Sequence, residues 1–269
     1  MSQGTILLTG GSGFIGHYVT KCLLAAGYKL RLLLRSNSDI SHLSMLNFES
    51  FNGDLLDIAS LEDALEGCSA VVHLAALVSF LPQDRLALER VNTSGTANIV
   101  NAALAVGVPR LVYLSSVAAL DRSGPGPITE QNRWPTQPPL TAYAASKFGA
   151  EREVWRGQGE GLSVAALYPS IVLGAGAWKQ GGTPALFDRA AQGRRSYPLG
   201  ATGFVDVRDV AEAVLTVVNR QQDGDRFLLN AINLTWQGFF TAVSQEFGHP
   251  APRWAVPAWM SGLAWPMSQ

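Results

Sequence analysis

A glycine-rich segment near the N-terminus, residues 9–16, constrains the fold of this chain more than any other feature. Its sequence is TGGSGFIG, and it joins a short apolar run to a segment whose apolar residues recur at helical spacing. Gly10 allows a tight turn, Gly13 lets the backbone approach a pyrophosphate, and Gly16 lets the helix pack closely on the strand. Backbone N–H groups at the start of the helix, with the helix dipole, favour bound phosphate. We therefore predict a dinucleotide site whose contacts come from Gly10, Ser12, Gly13, Phe14, Ile15 and Gly16.

Short apolar runs alternate with segments of helical periodicity along the first 170 residues. We predict strands at residues 5–9, 28–34, 48–52, 70–74, 110–115 and 162–168. We predict helices at residues 14–26, 61–65, 84–106 and 141–156. This alternation is typical of a parallel sheet with right-handed crossovers. The predicted fold class is α/β, a doubly wound (Rossmann) parallel sheet with residues 5–9 as a central strand and the switch point at Gly10.

The character of the sequence changes after Pro169, where glycines cluster between residues 174 and 182. Helical patterns follow at residues 184–192, 207–219 and 235–247, and a short strand pattern lies at residues 226–230. We expect residues 1–170 to form the dinucleotide-binding domain and to carry the catalytic residues. Residues 171–269 are expected to interleave the last sheet elements with a small C-terminal substrate-binding lobe.

The composition argues against several classes of protein. Hydrophobic residues make up 47% of the 269 residues, charged residues only 15%, and the net charge is −1. These values predict a filled core and no affinity for nucleic acid or an anionic membrane. The two cysteines and four histidines show neither a disulfide framework nor metal-ligand spacing. With no basic leader and no membrane-length apolar run, we expect a cytoplasmic protein. We also expect a small-molecule substrate and no metal, and a homodimer stays open as the assembly.

The residue at the end of the second predicted strand indicates which dinucleotide binds. NAD sites usually carry Asp or Glu there, about 20 residues beyond the glycines, hydrogen-bonded to the ribose 2′-OH. This chain has Arg35 at that position, followed by Ser36. A guanidinium beside a 2′-phosphate favours NADP(H), which we predict as the preferred cofactor. NAD(H) stays open as an alternative, because an arginine at a strand end is often only solvated.

Seven further motifs follow the glycine loop: GDLLD at 53–57, HLAA at 73–76, NTSGTAN at 92–98, YLSS at 113–116, YAASK at 143–147, PSIVLG at 169–174 and FVDVRDV at 204–210. In this order they resemble the motifs of the extended short-chain dehydrogenase/reductases. That family includes nucleotide-sugar epimerases and dehydratases, dihydroflavonol-type reductases and 3β-hydroxysteroid dehydrogenases. The resemblance covers about three quarters of the chain.

The resemblance implies cofactor contacts outside the glycine loop. Contacts with the adenine, the ribose, and the nicotinamide end of the cofactor are implied for Asp54, Leu55, Leu74, Ala75, Ala76, Asn92, Pro169 and Ser170. The chain departs from the family at Asp206, where relatives often carry His or Tyr, and at Tyr168, where Arg is frequent. Family members generally continue for several dozen residues past the end of this chain, so truncation of the C-terminal lobe stays open.

Tyr143 and Lys147 lie four residues apart on a predicted helix and therefore share one face. A tyrosine with a pKa of about 10 is a poor acid–base group at neutrality, and a nearby ammonium favours its ionised form. We predict Tyr143 as the general acid/base and Lys147 as its tuning partner, also able to hold the nicotinamide ribose. The resemblance adds Ser116 as a hydrogen-bond donor to the substrate oxygen. Phe80 and Leu81, after the carboxyl end of a strand, are expected to line the substrate pocket.

Three functions stay open from the sequence. The first is a reductase or dehydrogenase acting on a carbonyl or secondary alcohol, favoured by Arg35 because NADPH suits net reduction, and by the apolar segment after Ala76. The second is a nucleotide-sugar epimerase or dehydratase with a recycled NAD(P), whose diphosphate would need the basic residues Lys179, Arg189, Arg194 and Arg195. The third is a non-catalytic dinucleotide sensor, which predicts a broken Tyr/Lys pair that the sequence does not show.

Overall fold

The computed structural model describes residues 4–124, 126–132, 141–176, 187–188, 190–220 and 223–256. Its strands are β1 (Thr5–Thr9), β2 (Lys29–Leu34), β3 (Glu49–Asn52), β4 (Cys68–His73), β5 (Arg110–Leu114), β6 (Ser163–Pro169), β7 (Ile171–Leu173), β8 (Ser196–Pro198), β9 (Ala201–Asp206), β10 (Asp225–Leu229), β11 (Ile232–Thr235) and β12 (Trp254–Val256). Its α-helices include α1 (Phe14–Ala25), α2 (Ile58–Leu65), α3 (Arg85–Leu88), α4 (Gly95–Val106), α5 (Ala142–Gly159), α6 (Val207–Asn219) and α7 (Trp236–Glu246). A π-helical turn, Glu89–Ser94, joins α3 to α4.

The chain divides into two compact units. The first contains Met1–Pro169 and Arg208–Leu229, and the second contains Ser170–Val207 and Asn230–Gln269. The first unit holds a seven-stranded sheet in the order β10-β6-β5-β4-β1-β2-β3. Every neighbouring pair in it is parallel.

The strand order reverses beside β1, because the chain builds β2 and β3 on one side of β1 and then returns to place β4 on the other. This arrangement confirms the predicted doubly wound parallel sheet. β1 is an interior strand, and β4 occupies the middle position. Ile6, Leu7 and Leu8 of β1 are completely buried, as a strand covered on both faces requires.

Several element bounds differ from the predictions by a few residues. The helix predicted at 61–65 begins at Ile58, because the side chain of Asp57 accepts a hydrogen bond from the Ser60 N–H and caps it. The helix predicted at 84–106 is interrupted by the π-helical turn, which periodicity alone does not distinguish from α-helix. The strand predicted at 226–230 is β10, at the edge of the first unit's sheet.

The second unit contains β-structure that the sequence analysis did not predict. β9 pairs with β7 in parallel and with β11 antiparallel, and β12 pairs with β8 in parallel. All but one of these strands have only three or four residues, which is too short for periodicity to identify them. Phe204 of β9 stacks on Phe239 of α7 with ring centroids 4.9 Å apart. The helix predicted at 184–192 lies partly outside the described residues.

Membrane spans and metal clusters are both missing from the described part of the chain. Across the described ranges, no helix is long and apolar enough to cross a membrane. Across the same ranges, no group of three or more His, Cys, Asp or Glu side chains is arranged to hold a metal ion.

His73 connects three elements of the first unit at the carboxyl edge of the sheet. It is the last residue of β4 and is completely buried. Its Nδ1 lies 2.6 Å from Thr9 Oγ1 of β1, and its Nε2 lies 3.0 Å from Thr96 Oγ1 of α4. Burial, with a smaller contribution from the charge of Lys147, lowers the pKa of His73 to about 3. The imidazole is therefore neutral across the pH range in which the folded protein is normally studied.

We expect the free energy of unfolding to fall as the pH is lowered from 6.5. The unfolded chain binds a proton at His73 with the ordinary pKa of 6.5, whereas the folded chain does so only near pH 3. Well below pH 6.5 this one group should cost about 1.4 kcal/mol per pH unit. Urea denaturation at a series of pH values measures the slope. His73→Gln keeps polar atoms at the position but cannot titrate, so it should show a shallower slope, and equal slopes would contradict the prediction.

Candidate active site and dinucleotide cradle

The loop between β1 and α1 is shaped by close backbone approaches that only glycine permits. Gly10 has a φ of +75°, and a Cβ there would lie 2.7 Å from the Ala75 backbone nitrogen. A Cβ on Gly16 would lie 2.0 Å from the Gly10 carbonyl oxygen. The Gly13 N–H donates to that same oxygen at 3.1 Å, which closes the turn. The loop therefore brings the start of α1 directly over the carboxyl end of β1.

The first turn of α1 presents backbone N–H groups that no capping side chain engages. Its N-cap residue is Gly13, and no side chain caps the helix. Ser12, Phe14 and Ile15, expected to contact the dinucleotide, lie half-buried in this turn. Uncapped N–H groups at the positive end of a helix dipole are suited to a pyrophosphate.

The segment after β4 lies beside the glycine loop. The Leu74 N–H donates to the Thr9 carbonyl oxygen at 3.2 Å, and the Ala75 N–H donates to Thr9 Oγ1 at 3.3 Å. Leu74, Ala75 and Ala76 are half-buried at this edge. The switch point thus brings together two segments for which the sequence predicts cofactor contacts.

Asn92, also predicted to contact the cofactor, is buried in the π-helical turn. Its Nδ2 donates to the Leu77 carbonyl at 2.9 Å and to Ser146 Oγ at 2.9 Å, while its Oδ1 accepts from the Leu77 N–H at 2.7 Å. The amide of Asn92 is therefore engaged in holding the segment after β4 against α5. π-helical turns occur frequently at functional sites.

The ends of β2 and β3 carry the residues expected on the adenosine side. Arg35 follows β2 and is exposed, and no described residue engages its guanidinium. Asp54 follows β3, and its Oδ1 accepts from the Leu56 N–H at 2.9 Å. Leu55 is buried in the main core cluster. Because parallel strands end at one edge, these residues lie along the same edge of the sheet as the glycine loop.

Ser116, Tyr143 and Lys147 converge at the carboxyl end of β5. Thr141 caps α5 by accepting a hydrogen bond from the Ala144 N–H at 3.1 Å, which places Tyr143 in the first turn and Lys147 in the next. The Ser116 hydroxyl lies close enough to the Tyr143 phenol to oppose the rise in its pKa, and it accepts a hydrogen bond from the Ala118 N–H at 3.1 Å. Lys147 Nζ donates to the carbonyl oxygen of Leu114 at 2.7 Å, and Lys147 is 2% exposed.

Burial shifts the two titratable groups of this cluster in opposite directions. Burial raises the pKa of the Tyr143 phenol, and the nearby Ser116 hydroxyl opposes this. Burial lowers the pKa of Lys147 to about 7, and the charge of Glu151 opposes this. Tyr143 is therefore protonated at neutral pH, which is the form that can donate a proton.

The candidate substrate-facing residues lie next to Tyr143. The Phe80 ring centroid is 5.5 Å from that of Tyr143, and Phe80 is 57% exposed. Leu81 is half-buried and follows it. These positions match an apolar wall beside the phenol.

The remaining predicted residues fall in different parts of the structure. Pro169 is the last residue of β6 in the first unit. Ser170 begins the second unit, and its hydroxyl is buried with no hydrogen-bond partner among the described residues. Of the basic residues considered for a diphosphate, Arg194 and Arg195 are exposed. Lys179 and Arg189 lie outside the described residues.

A buried polar network that the sequence analysis did not single out adjoins this cluster. At its centre is Glu151, which has no solvent exposure. Its carboxylate accepts hydrogen bonds from Tyr168 Oη at 2.8 Å, Trp155 Nε1 at 3.0 Å and Ser115 Oγ at 3.2 Å. Arg226 Nη2 forms an ion pair with it at 2.5 Å. Tyr168 Oη also accepts a hydrogen bond from Arg226 Nε at 2.9 Å.

The helical spacing contained a signal for this network. Tyr143, Lys147 and Glu151 are spaced four residues apart, so all three lie on one face of α5. Arg226 carried no such signal, since it comes from a strand 75 residues further along the chain.

Known proteins of similar sequence and structure place the chain among dinucleotide-dependent enzymes. The sequence matches the model of the NAD dependent epimerase/dehydratase family over residues 6–230. It is 34% identical to a putative dihydroflavonol 4-reductase from Synechocystis over 259 residues, which cover 94% of this chain and 75% of that protein. It is also 34% identical to sterol demethylase protein B from Methylococcus capsulatus, over 97% of this chain and 80% of that protein. The crystal structure of Thermus thermophilus UDP-glucose 4-epimerase in complex with NAD superposes with a TM-score of 0.80 at 27% identity, covering 94% of this chain and 86% of that one.

We expect Gly16→Ala to weaken NAD(P)H binding by about tenfold or more, which corresponds to about 1.4 kcal/mol. The added Cβ would lie 2.0 Å from a backbone oxygen, so the loop must shift away from its position under α1. Fluorescence titration with NADPH and with NADH measures the affinities. Gly159→Ala is the matched control, because a Cβ there meets no atom within 4 Å. Unchanged affinity in Gly16→Ala would show that the loop does not bind the dinucleotide.

Proposed function

The chain belongs to the NAD-dependent epimerase/dehydratase family and is an NAD(P)-dependent enzyme, and within that family we propose that it is an NADP(H)-dependent reductase. The proposed reaction transfers a hydride between the nicotinamide and a carbonyl or secondary alcohol, with Tyr143 as the general acid/base. The observation that carries this proposal is the convergence of Ser116, Tyr143 and Lys147 at one sheet edge. Similarity to proteins named as reductases supports the same reaction class.

The residues at the sheet edge fit a dinucleotide. The uncapped first turn of α1 suits a pyrophosphate, and the absence of a Cβ at Gly10 and Gly16 leaves the loop close to the strand end. Lys147 is proposed to hold the nicotinamide ribose. When bound, the dinucleotide supplies the hydride for reduction and accepts it for oxidation.

Arg35 is proposed to select NADP(H) over NAD(H). It occupies the strand end where NAD enzymes commonly carry an acid, and its guanidinium is exposed and unengaged in the described structure. A 2′-phosphate would give it a charge-assisted contact that a 2′-hydroxyl cannot give. The proposed preference rests on this single side chain.

The proposed proton transfer uses the protonated phenol of Tyr143 and the ammonium of Lys147. In the direction of reduction, Tyr143 Oη donates its proton to the carbonyl oxygen as the substrate carbon gains the hydride. Ser116 orients that oxygen by a hydrogen bond. The Lys147 ammonium stabilises the phenolate that remains on Tyr143, because the two groups lie one helical turn apart. Oxidation of the alcohol reverses these transfers.

The apolar surroundings of Tyr143 favour a hydrophobic carbonyl substrate. Phe80 and Val78 are 57% and 49% exposed, and they follow the carboxyl end of β4. Exposed apolar side chains beside a candidate catalytic phenol would provide a wall for a hydrocarbon or aromatic group. The role expected for the second unit, binding the substrate, is part of the same proposal.

The epimerase or dehydratase function is the second candidate, favoured by the similarity in fold to an NAD-bound UDP-glucose 4-epimerase. A turnover screen distinguishes the two. The proposal predicts consumption of NADPH with aromatic or aliphatic ketones and aldehydes. Turnover of nucleotide sugars with no net change in cofactor would contradict it in favour of the second candidate.

We expect NADPH to bind more tightly than NADH, and Arg35→Asp to reduce or invert this preference. A charge-assisted contact to a phosphate contributes about 1.5–3 kcal/mol, or roughly tenfold to a hundredfold in affinity. Isothermal titration calorimetry with both cofactors measures it. Arg152→Asp makes the same charge change at an exposed position of α5 and should leave the ratio unaltered. Equal affinities of the native enzyme for both cofactors would remove the basis for NADP(H) selection.

We expect Tyr143→Phe to lower kcat by about 10²–10⁴-fold, because only the transferable proton is removed and the ring remains. NADPH affinity should be retained. Lys147→Met should damage both turnover and affinity, while Ser116→Ala should cost less because the proton source stays in place. Steady-state kinetics and fluorescence titration separate these effects.

Tyr28→Phe is the control for loss of a phenolic hydroxyl, since its hydroxyl contacts only Asn219 at the surface among the described residues. Near-normal turnover by Tyr143→Phe on a substrate accepted by the native enzyme would show that the proton comes from another group.

A further inference from the structure

Glu151 follows Lys147 by one turn of α5 and has no solvent exposure. Resting on the proposed function, we propose that Glu151 is a positioning residue of the active site. Its buried carboxylate keeps the Lys147 side chain in its ammonium form and fixes the end of β5 from which Ser116 extends.

The first support is geometric. Lys147 Nζ donates to the Leu114 carbonyl oxygen at 2.7 Å, and Glu151 Oε2 accepts from the next residue, Ser115 Oγ, at 3.2 Å. Two successive residues at the end of β5 are thus held by two side chains of α5 that lie one turn apart. The hydroxyl of Ser115 is occupied by this contact.

The proposed catalytic pair, Ser116 and Tyr143, lies beside these two contacts. Ser116 is the residue after Ser115, and its hydroxyl lies near the phenol of Tyr143, which is one turn before Lys147 on α5. Three successive residues at and just after the end of β5 therefore lie against side chains of one face of α5. Loss of the Glu151 carboxylate would remove the contact that holds Ser115, the residue directly before Ser116.

The second support is the set of groups that face Lys147. Besides Glu151 of α5, these are His73 of β4 and Tyr113 of β5, whose ring lies 4.6 Å from Nζ, while Tyr143 lies one turn before Lys147 on the same face of α5. His73 is neutral because burial lowers its pKa to about 3, and burial raises the pKa of both tyrosines. Among these described residues, Glu151 is thus the acidic one, and its carboxylate is paired with Arg226.

The third support is that this charge is held in place. Burying a carboxylate is costly unless its oxygens are hydrogen-bonded and its charge is paired. Tyr168, Trp155 and Ser115 donate to the Glu151 oxygens, and Arg226 pairs with them. The carboxylate therefore has fixed coordinates one turn from Lys147, where the low local dielectric strengthens its effect.

The ionisation of Lys147 can be measured directly, because the chain has only four lysines, Lys21, Lys29, Lys147 and Lys179. Protein labelled with ¹³C at lysine Cε gives few resonances, and Lys147→Arg assigns the one of interest. Chemical-shift titration of the native protein and of Glu151→Gln reports the pKa of Lys147. In the native protein this pKa is about 7. Loss of the opposing charge should lower it by about one unit or more.

Glu153→Gln is the matched control on the same helix. Glu153 forms an ion pair with Arg156 in which both side chains are about one-third exposed (30% and 35%), so its removal should leave the Lys147 titration unchanged. An unchanged Lys147 titration in a folded Glu151→Gln protein would overturn the proposal. So would an equal shift in Glu153→Gln.

A second variant keeps the test decisive if Glu151→Gln does not fold. Removing one partner of a buried ion pair is strongly destabilising, whereas replacing both is often tolerated. The double variant Glu151→Gln/Arg226→Met removes both charges, and a smaller fall in the Lys147 pKa is expected, because loss of the Arg226 positive charge offsets part of the effect. A Lys147 pKa equal to the native value in the double variant would also overturn the proposal.

Activity gives the final readout and separates this proposal from the reductase proposal. With a substrate in hand, the fall of kcat/KM on the alkaline side of the pH profile should begin at a lower pH in Glu151→Gln than in the native enzyme. The reason is that Lys147 loses its proton at a lower pH in that variant. A merely structural role for Glu151 would lower the melting temperature without moving this limb of the pH profile. If no carbonyl substrate is turned over while the Lys147 shift is observed, the reductase proposal fails. The effect of the Glu151 carboxylate on the pKa of Lys147 then stands. Turnover of a carbonyl substrate with no Lys147 shift would support the reductase and overturn the role of Glu151.

Discussion

The backbone approach between the loops after β1 and β4 is the constraint on which the rest of the site depends. Gly10 comes so close to Ala75 that a Cβ would lie 2.7 Å from the Ala75 nitrogen, and Thr9 hydrogen-bonds to the segment that begins at Leu74. His73 extends the same junction to α4 through Thr96. Because these contacts join the two halves of the doubly wound sheet, they fix the start of α1 relative to the strand ends that carry the candidate catalytic residues.

A second constraint is the placement of ionisable groups in an otherwise apolar interior. The strands of the first unit bury long runs of aliphatic side chains, and Lys147 and Glu151 lie among them with at most 2% exposure. Such groups are retained in a low-dielectric interior only if hydrogen bonds and opposite charges offset their desolvation. In this protein that requirement produces a network continuous from Arg226 at the sheet edge to the face of α5 that carries Tyr143.

The parts of the fold that sequence reasoning could predict are those with strong local signals. α6 spans Val207–Asn219, the same residues as the helical pattern, and β1 matches the predicted apolar run at both ends. β9 was missed because Gly203 interrupts it. A Cβ there would lie 2.0 Å from Asn230 Oδ1, so the close approach at Gly203 involves a side chain 27 residues further along the chain.

The same distinction applies to the candidate site. The glycine loop, Arg35 and the Tyr143–Lys147 pair have local patterns, and the structure places all of them at the carboxyl edge of the sheet. Their functions remain predictions. The partnership of Glu151 with Arg226 joins residues 75 positions apart, and Tyr168 meets Arg226 across 58 positions. No periodicity or motif connects such residues, because the pairing exists only once β10 has been placed beside β6.

The π-helical turn at Glu89–Ser94 changes the helical register between α3 and α4, which follow one another without a break. Each residue in an α-helix turns the following side chains by about 100°, so one residue more or fewer changes which face meets a neighbour. On this turn, Asn92 faces Ser146 and Leu77, and Thr93 Oγ1 donates to the Ser146 carbonyl. Beyond it, α4 presents Ile99 and Val100 to the core. A regular helix could satisfy one of these two registers but not both, so the length of this segment is as constrained as its sequence.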